Sequence, residues 1–438
     1  MLAIALLALS GCGLFGGRSA EQDAEEAADR AGRIAMVLGD DKIEADPALA
    51  SEPIVLPPAE TLSSWPQSGG RASKVTGHLT AAAAFELDWR TNAGRGSDQR
   101  SALTSPPVAS EAAIFVLDAA QTVRAFDLET GSELWSARIE SGNRRDRIGI
   151  GGGLAYDRGR IFIASGFSLL VALDADTGEE IWRRNMDAPM TGSPTIRDDR
   201  MFVTSNNNEV FAVTLDDGQV IWSDQAISEP ARVLGSPSPA AVEDIVVTPY
   251  SSGEVIAYLA SNGRRLWTDA LSRPGRFTPI SAINDIAARP VLAAGLVIVA
   301  NQSGLTAGID GRTGTRVWVQ PIGSTQAPAL AGNYLFIVGV EGTLAAIDAT
   351  AGSVFWAKEL QRFRNEERQR GRISYSGPLV ASGQIIVVSS EGKVTRHDPQ
   401  SGEITATLDL RQDVFLEPIA VGERVFILTD DARLVAIR

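Results

Sequence analysis

The chain carries one cysteine, Cys12, and two histidines, His78 and His397. A lone thiol can be acylated or act as a nucleophile, but it forms no internal disulfide. Two histidines so far apart, with no cysteine beside them, do not suggest a metal site. Among the carboxylates, Asp127, Asp174, Asp310 and Asp348 share one setting, each a few residues before a glycine. A residue type that recurs in the same turn along a chain is structural before it is catalytic. No hydroxyl or thiol stands in a pattern with a base that would activate it. The reading is that of a non-enzymatic protein, with no cofactor and no metal.

The recurring turn is part of a longer unit. Leu169 to Trp182 reads LLVALDADTGEEIW, Val123 to Trp135 reads VRAFDLETGSELW, and Val210 to Trp222 reads VFAVTLDDGQVIW. Val255–Trp267, Leu305–Trp318 and Leu344–Trp356 follow the same plan, and Val394–Ala406 is a copy without its Trp. Alternation such as Val171 and Leu173 against Ala172 and Asp174 is the period of a pleated strand. The Asp-x-x-Thr-Gly turn uses side-chain hydrogen bonds and a glycine suited to positive φ. The Trp offers a large apolar face to a neighbouring unit. One such hairpin cannot bury itself, so the copies must stack.

Phe85–Arg90 resembles the second strand of the unit without its first half. From Trp89 the spacings to Trp135, Trp182, Trp222, Trp267, Trp318, Trp356 and Ala406 are 46, 47, 40, 45, 51, 38 and 50. Repeats of about 40–50 residues are the period of propeller blades. A second series of β-runs, from Ile114–Leu117 to Val425–Leu428, numbers eight. The last has no Trp strand after it, and the Trp89 strand has nothing before it. The expected fold is all-β, an eight-bladed propeller of four-stranded antiparallel blades. Pairing of the N-terminal strand with the C-terminal blade, between residues near Trp89 and Ile437, would close it and remove exposed edges.

A net charge of −14 argues against nucleic acid as a partner. The apolar run Leu2–Leu9 is too short to span a bilayer. With Ser10, Gly11 and Cys12 it looks like the end of a secretory signal. Leu7-Ala8-Leu9-Ser10-Gly11-Cys12 resembles the bacterial lipobox, which implies lipidation of Cys12, and the Gly13 that follows implies sorting to the outer membrane. Ser19–Glu60 holds eleven acids against three bases, so it carries −8 of the −14. A helix is expected over Ala24–Leu38, and Pro47, Pro53, Pro57 and Pro58 favour extended chain after it. The organisation expected is a signal peptide at 1–11, a lipidated, acidic, Pro-rich tether at 12–60, and the propeller at 61–438.

The Ala-x-Asp-x-x-Thr-Gly-x-x-x-Trp pattern resembles the quinoprotein-type, PQQ-like propeller repeat, which is specific for fold and weak for function. Joined to a lipobox and a tether, it resembles the BamB family of the outer-membrane β-barrel assembly (BAM) machinery. That resemblance implies a periplasmic, lipid-anchored scaffold. It would bind a BamA-like barrel protein through its POTRA domains and help assemble unfolded outer-membrane barrel substrates. The alternatives are a PQQ-dependent dehydrogenase-like quinoprotein and another periplasmic propeller binding protein. Long connections at Arg138–Ile150, Asp224–Leu234, Asp269–Ala288 and Lys358–Ile373 fall on one face, opposite the Asp-x-x-Thr-Gly turns. Length variation on one face of a repeat protein marks its binding face. The family's contact loops align with Arg232-Val233-Leu234-Gly235 and with Asp285-Ile286-Ala287-Ala288-Arg289-Pro290, so Arg232, Val233, Leu234 and Asp285 are the partner-binding residues expected. The arginines at 362, 364, 368, 370 and 372 form a basic cluster that could meet an acidic partner or lipid headgroups.

Overall fold

The computed structural model describes residues 42–49, 51–142, 149–227, 237–271 and 285–438. The expected helix over Ala24–Leu38 and the lipobox with Cys12 lie outside them. The compact unit runs from Lys42 to Arg438. Among the described residues it holds eight four-stranded antiparallel sheets and one two-stranded hairpin, and the one helical element among them is the short 3-10 turn Pro47–Leu49.

Seven blades are continuous in sequence. They are blade 1 (108–138), blade 2 (152–185), blade 3 (195–225), blade 4 (240–270), blade 5 (291–320), blade 6 (329–359) and blade 7 (375–409). Blade 8 takes three strands from 419–437 and its outer strand from Leu87–Asn92. That strand runs antiparallel to Arg433–Ile437, with Trp89 opposite Ala436. The expected eight-bladed, all-β architecture is the one observed.

The repeat works between blades as well as within them. In blade 2, Asp174 Oδ1 accepts from the backbone of Asp176 and Thr177 and from Thr177 Oγ1. These bonds hold the Asp174 carboxyl below the usual carboxylate range. Gly178 then turns the chain at φ 74°, and a Cβ placed there would sit 2.6 Å from the Trp135 ring of blade 1. Trp135 Nε1 donates to Ala175 O in that same turn. The pattern repeats for Trp182, Trp222, Trp267, Trp318 and Trp356, each of which bonds a turn carbonyl of the next blade. Each Trp therefore reads the turn of its successor.

This explains why the seventh copy has lost its Trp. Blade 8 joins Leu87–Asn92 to three strands from 419–437, so no chain segment runs from its third strand to its outer one and it has no Asp-x-x-Thr-Gly turn for a blade 7 Trp to cover. In blades 1 to 6 and 8 the Trp stands opposite Ala or Gly on the neighbouring strand. In blade 7 the sizes are exchanged, with Arg396 opposite Ala406. The Arg396 guanidinium lies 4.3 Å from the centre of the Phe85 ring and donates to Ala83 O. An arginine that clasps the incoming strand takes the place of the indole.

The chain before that strand fills the axis. Residues 62–82 bond the innermost strand of every blade, or the residues just after it. Trp65 exchanges two backbone bonds with Ala109 of blade 1, and Tyr156 N of blade 2 donates to Pro66 O. The Gln67 side chain bonds Ile196 of blade 3 on both its N and its O. Ala241, Leu292 and Leu330 of blades 4, 5 and 6 bond Ala72, Ser73 and Gly77. Leu79 and Ala82 then reach blades 7 and 8. These contacts lie at the ends of the inner strands nearest the Asp-x-x-Thr-Gly turns, so the plug closes the channel on that face. Upstream, Glu52 and Ile54 bond Gln400 in the blade 7 turn, and Val55 N donates to the Tyr334 hydroxyl of blade 6. The Pro-rich stretch is extended, as its composition requires, and it lies against the body from Lys42 onward.

Candidate functional site

The long connections leave the outer strands on the face away from the plug. The loop 228–236, with Arg232, Val233 and Leu234, lies outside the described residues, as do 143–148 and 272–284. What the structure describes is how their feet are held.

The first foot is Ile227. Its N donates to Glu254 Oε2 at 2.9 Å, and its carbonyl accepts from Asn208 Nδ2 at 2.6 Å. The second loop starts after Leu271, whose carbonyl accepts from Asn301 Nδ2 at 2.6 Å. It ends at Asp285, which is 3 % exposed and whose carbonyl accepts from Gln302 N. The next residue, Ile286, donates to Tyr250 O. Tyr250 and Tyr258 share a 2.7 Å hydroxyl bond, and Tyr258 donates to Asp224 Oδ2 at 2.8 Å. Arg265 Nε bonds the same carboxylate oxygen at 2.8 Å. Burial pushes both phenols up from their ordinary value, so they stay protonated donors. One network thus ties the base of the first loop, in blade 3, to the base of the second, beside blade 4. Sequence reading missed it. The signal was Tyr258, a hydroxyl where the equivalent strand positions hold Phe126, Leu173, Val213, Ile309 and Ile347. Asp285 belongs to the buried base of its loop and not to the exposed surface.

The arginine cluster is a two-stranded hairpin, Phe363–Asn365 with Arg370–Arg372, on the connection between blades 6 and 7. Arg362 and Arg372 both pair with Glu341, and Arg364 pairs with Glu391. Those bonds pin the hairpin to the body and neutralise much of its charge.

At the centre of this face the axial channel opens as a pit of roughly 240 Å³. It is blind because the plug floors it with Ser68. Phe415, Leu103 and Arg289 are among the residues that line it. Arg289 pairs with Glu417 through Nη1, with side chains 11 % and 8 % exposed, and Ser68 Oγ lies 3.4 Å from the same carboxylate. Below the floor, Lys74 is fully buried and donates to Thr195 Oγ1 at 2.8 Å. Burial first, and then the Arg289 charge, lower its pKa well below the ordinary 10.5. The donor set at the axis does not fit a quinone with its calcium ion. Its one carboxylate is already bound to a guanidinium, and no group of three or more His, Cys, Asp or Glu placed to hold a metal ion occurs among the described residues. Nor is any helix among them long and apolar enough to cross a membrane.

Fold and repeat together define an eight-bladed propeller of the PQQ-like class. The family model described as "Outer membrane protein assembly factor BamB" matches residues 119–358 and 340–438, and the chain belongs to that family. It is 22 % identical to the outer membrane protein assembly factor BamB of Moranella endobia, over 76 % of this chain and 84 % of that one. The crystal structure of BamB from Moraxella catarrhalis superposes with a TM-score of 0.67 at 19 % identity, covering 80 % of this chain and 99 % of that one. The quinohemoprotein alcohol dehydrogenase of Comamonas testosteroni gives 0.66 at 13 % identity, covering 86 % and 81 %. At such identities the two structures speak for the fold alone.

Proposed function

We propose that this protein is a non-enzymatic scaffold of the outer-membrane β-barrel assembly machinery. It is held at the periplasmic face of the outer membrane by a lipid on Cys12. Its connection face binds the periplasmic POTRA domains of a BamA-like barrel protein, which brings it beside unfolded barrel substrates. The observation that carries this reading is the family match over most of the propeller, together with the position of the long connections on one face.

Arg232, Val233 and Leu234 would supply direct contacts from a loop whose foot at Ile227 is fixed. Asp285 would hold the base of the neighbouring loop. Interface energy concentrates in a few residues, worth about 1–3 kcal/mol each on truncation. Titration of the POTRA domains onto the full chain separates the two roles. Arg232→Ala with Leu234→Ala should weaken binding and leave the unfolding midpoint in place. Asp285→Ala should lower both, because it empties a buried site. Glu179→Ala, beside a turn on the opposite face, should change neither. Unchanged affinity in the double variant, with weakening by Glu179→Ala, would reverse the face assignment.

The dehydrogenase reading draws on the fold alone, and the axial donor set opposes it. Purified protein incubated with quinone and Ca²⁺ should not reduce dye in the presence of an alcohol.

A further inference from the structure

We propose that the blind axial pit on the connection face receives a carboxylate side chain from an acidic loop of a partner protein. This rests on the reading of that face as the partner surface, and it names the chemistry at its centre.

The pit differs from the rest of the face in having a charged floor under an apolar lip. Among the described residues lining it, Arg289 and Glu417 are the only charged ones. A guanidinium has five N–H donors in a fixed fork. Arg289 uses Nη1 for Glu417, and its Nε is buried without an acceptor. Gly69, at φ 78°, brings the plug so close that a Cβ there would lie 2.6 Å from that Nε. The plug thus seals Nε off, and the floor holds a nearly buried cation whose remaining Nη donors are the ones left for the pit. Lys74 lies beneath it and donates to the Thr195 hydroxyl. Burying a further charge is costly unless it is paired and hydrogen-bonded, and the Nη donors of Arg289 not taken by Glu417 supply that pairing.

The lip indicates the source of the carboxylate. Phe415 lines the pit and is 47 % exposed. A small free anion would leave this ring in water. A loop that carries Asp or Glu between apolar residues would cover it while the acid reaches the floor. The mouth is also ringed by the connections that lead into the inner strands, so a loop enters from this face only, the plug closing the other.

The test is calorimetric titration of the full chain in detergent with acetyl-Gly-Leu-Asp-Leu-Gly-amide, its Asn analogue and sodium acetate. The Asp peptide should bind at least tenfold more tightly than the Asn peptide. The paired substitution Arg289→Gln with Glu417→Gln keeps the shape of the ion pair and should abolish that preference. Phe415→Ser, at an exposed position, should weaken the Asp peptide several-fold with the unfolding midpoint unchanged. Equal binding of the two peptides would overturn the proposal, as would a preference that survives the paired substitution. Acetate binding as tight as the Asp peptide would overturn the protein loop as the source. The titration contains no barrel protein, so its failure is separate from a failure of the partner reading in co-purification.

Discussion

At the scale of the residue, the contact that repeats is an indole laid on the turn of the next blade. Gly178 and its equivalents combine positive φ with that ring, so a side chain there strains the backbone and strikes the Trp together. Gly178→Ala should destabilise the protein by about 1–3 kcal/mol, read as a shift of the urea midpoint. The indole N–H can be tested separately. Trp318 Nε1 donates to Ala349 O, whereas Trp89 Nε1 is buried without a partner. A buried hydrogen bond contributes about 1 kcal/mol. Trp318→Phe should therefore cost more than Trp89→Phe by roughly that amount. Equal losses would mean that the bonded carbonyl adds nothing to the stacking.

The turn and the packing of each Trp on a neighbouring unit were legible in the sequence because each residue type has one task and the task recurs; that the indole lies on the turn of the next blade was not. The missing Trp of blade 7 was visible too, but its reason was not, since it depends on blade 8 having no turn to cover. Arg396 looked like an ordinary charged strand residue. Only the pairing with Ala406 and the Phe85 ring show that it substitutes for the indole. The buried Tyr250–Tyr258–Asp224 network was equally hidden, because its three members come from two blades.

At the scale of the element, the plug departs most from what the sequence implies. Residues 62–82 show no strand alternation, because their hydrogen bonds go to eight different inner strands and not to one partner. The segment from Lys42 had the composition of a solvated linker, yet Ile54 and Leu56 pack partly buried against the cluster shared by blades 6 and 7. Prolines fix an extended chain, and an extended chain can lie along a surface as readily as it can span a gap.

The plug makes stability depend on pH through Lys74. The groups facing it are Arg289, Glu417 and the Thr195 hydroxyl. Burial lowers the folded-state pKa, while the unfolded lysine keeps its proton up to about 10.5. Between those two values the unfolded state binds more protons, so unfolding free energy rises with pH. Below the folded value both states are protonated, and the full cost of the buried charge is present. Lys74→Met should raise the urea midpoint at neutral pH and flatten its rise toward pH 10. A variant that tracks the parent across that range would show that the ammonium is not desolvated at the axis.

At the scale of the whole propeller, seven copies of one hairpin and a blade closed by the Leu87–Asn92 strand make a ring of eight blades whose two faces differ in kind. One face carries short, uniform turns, the docked N-terminal chain and the plug. The other carries every long connection, the pit and the pinned arginine hairpin. The feet of two long connections are held by hydrogen bonds to the body, at Ile227, Leu271 and Asp285. The sequence showed this division through loop lengths alone. Which side chains make contact was less legible, because Arg232, Val233 and Leu234 only partly match the family's loop. On the proposed reading the propeller acts by holding a partner, and a lipid on Cys12 would only set where it does so. Cys12→Ser should release a folded protein from the membrane fraction with its unfolding midpoint unchanged.

The central claim is that the connection face binds a barrel protein with periplasmic repeats. The most direct measurement is affinity capture of the tagged full chain from detergent-solubilised envelope, with the co-purifying proteins identified by mass spectrometry. The account predicts that a barrel protein with POTRA domains is recovered with the parent chain and is depleted by the Arg232→Ala, Leu234→Ala pair. Capture of folded chain without any such barrel protein, under conditions where that protein is present and solubilised, would contradict it.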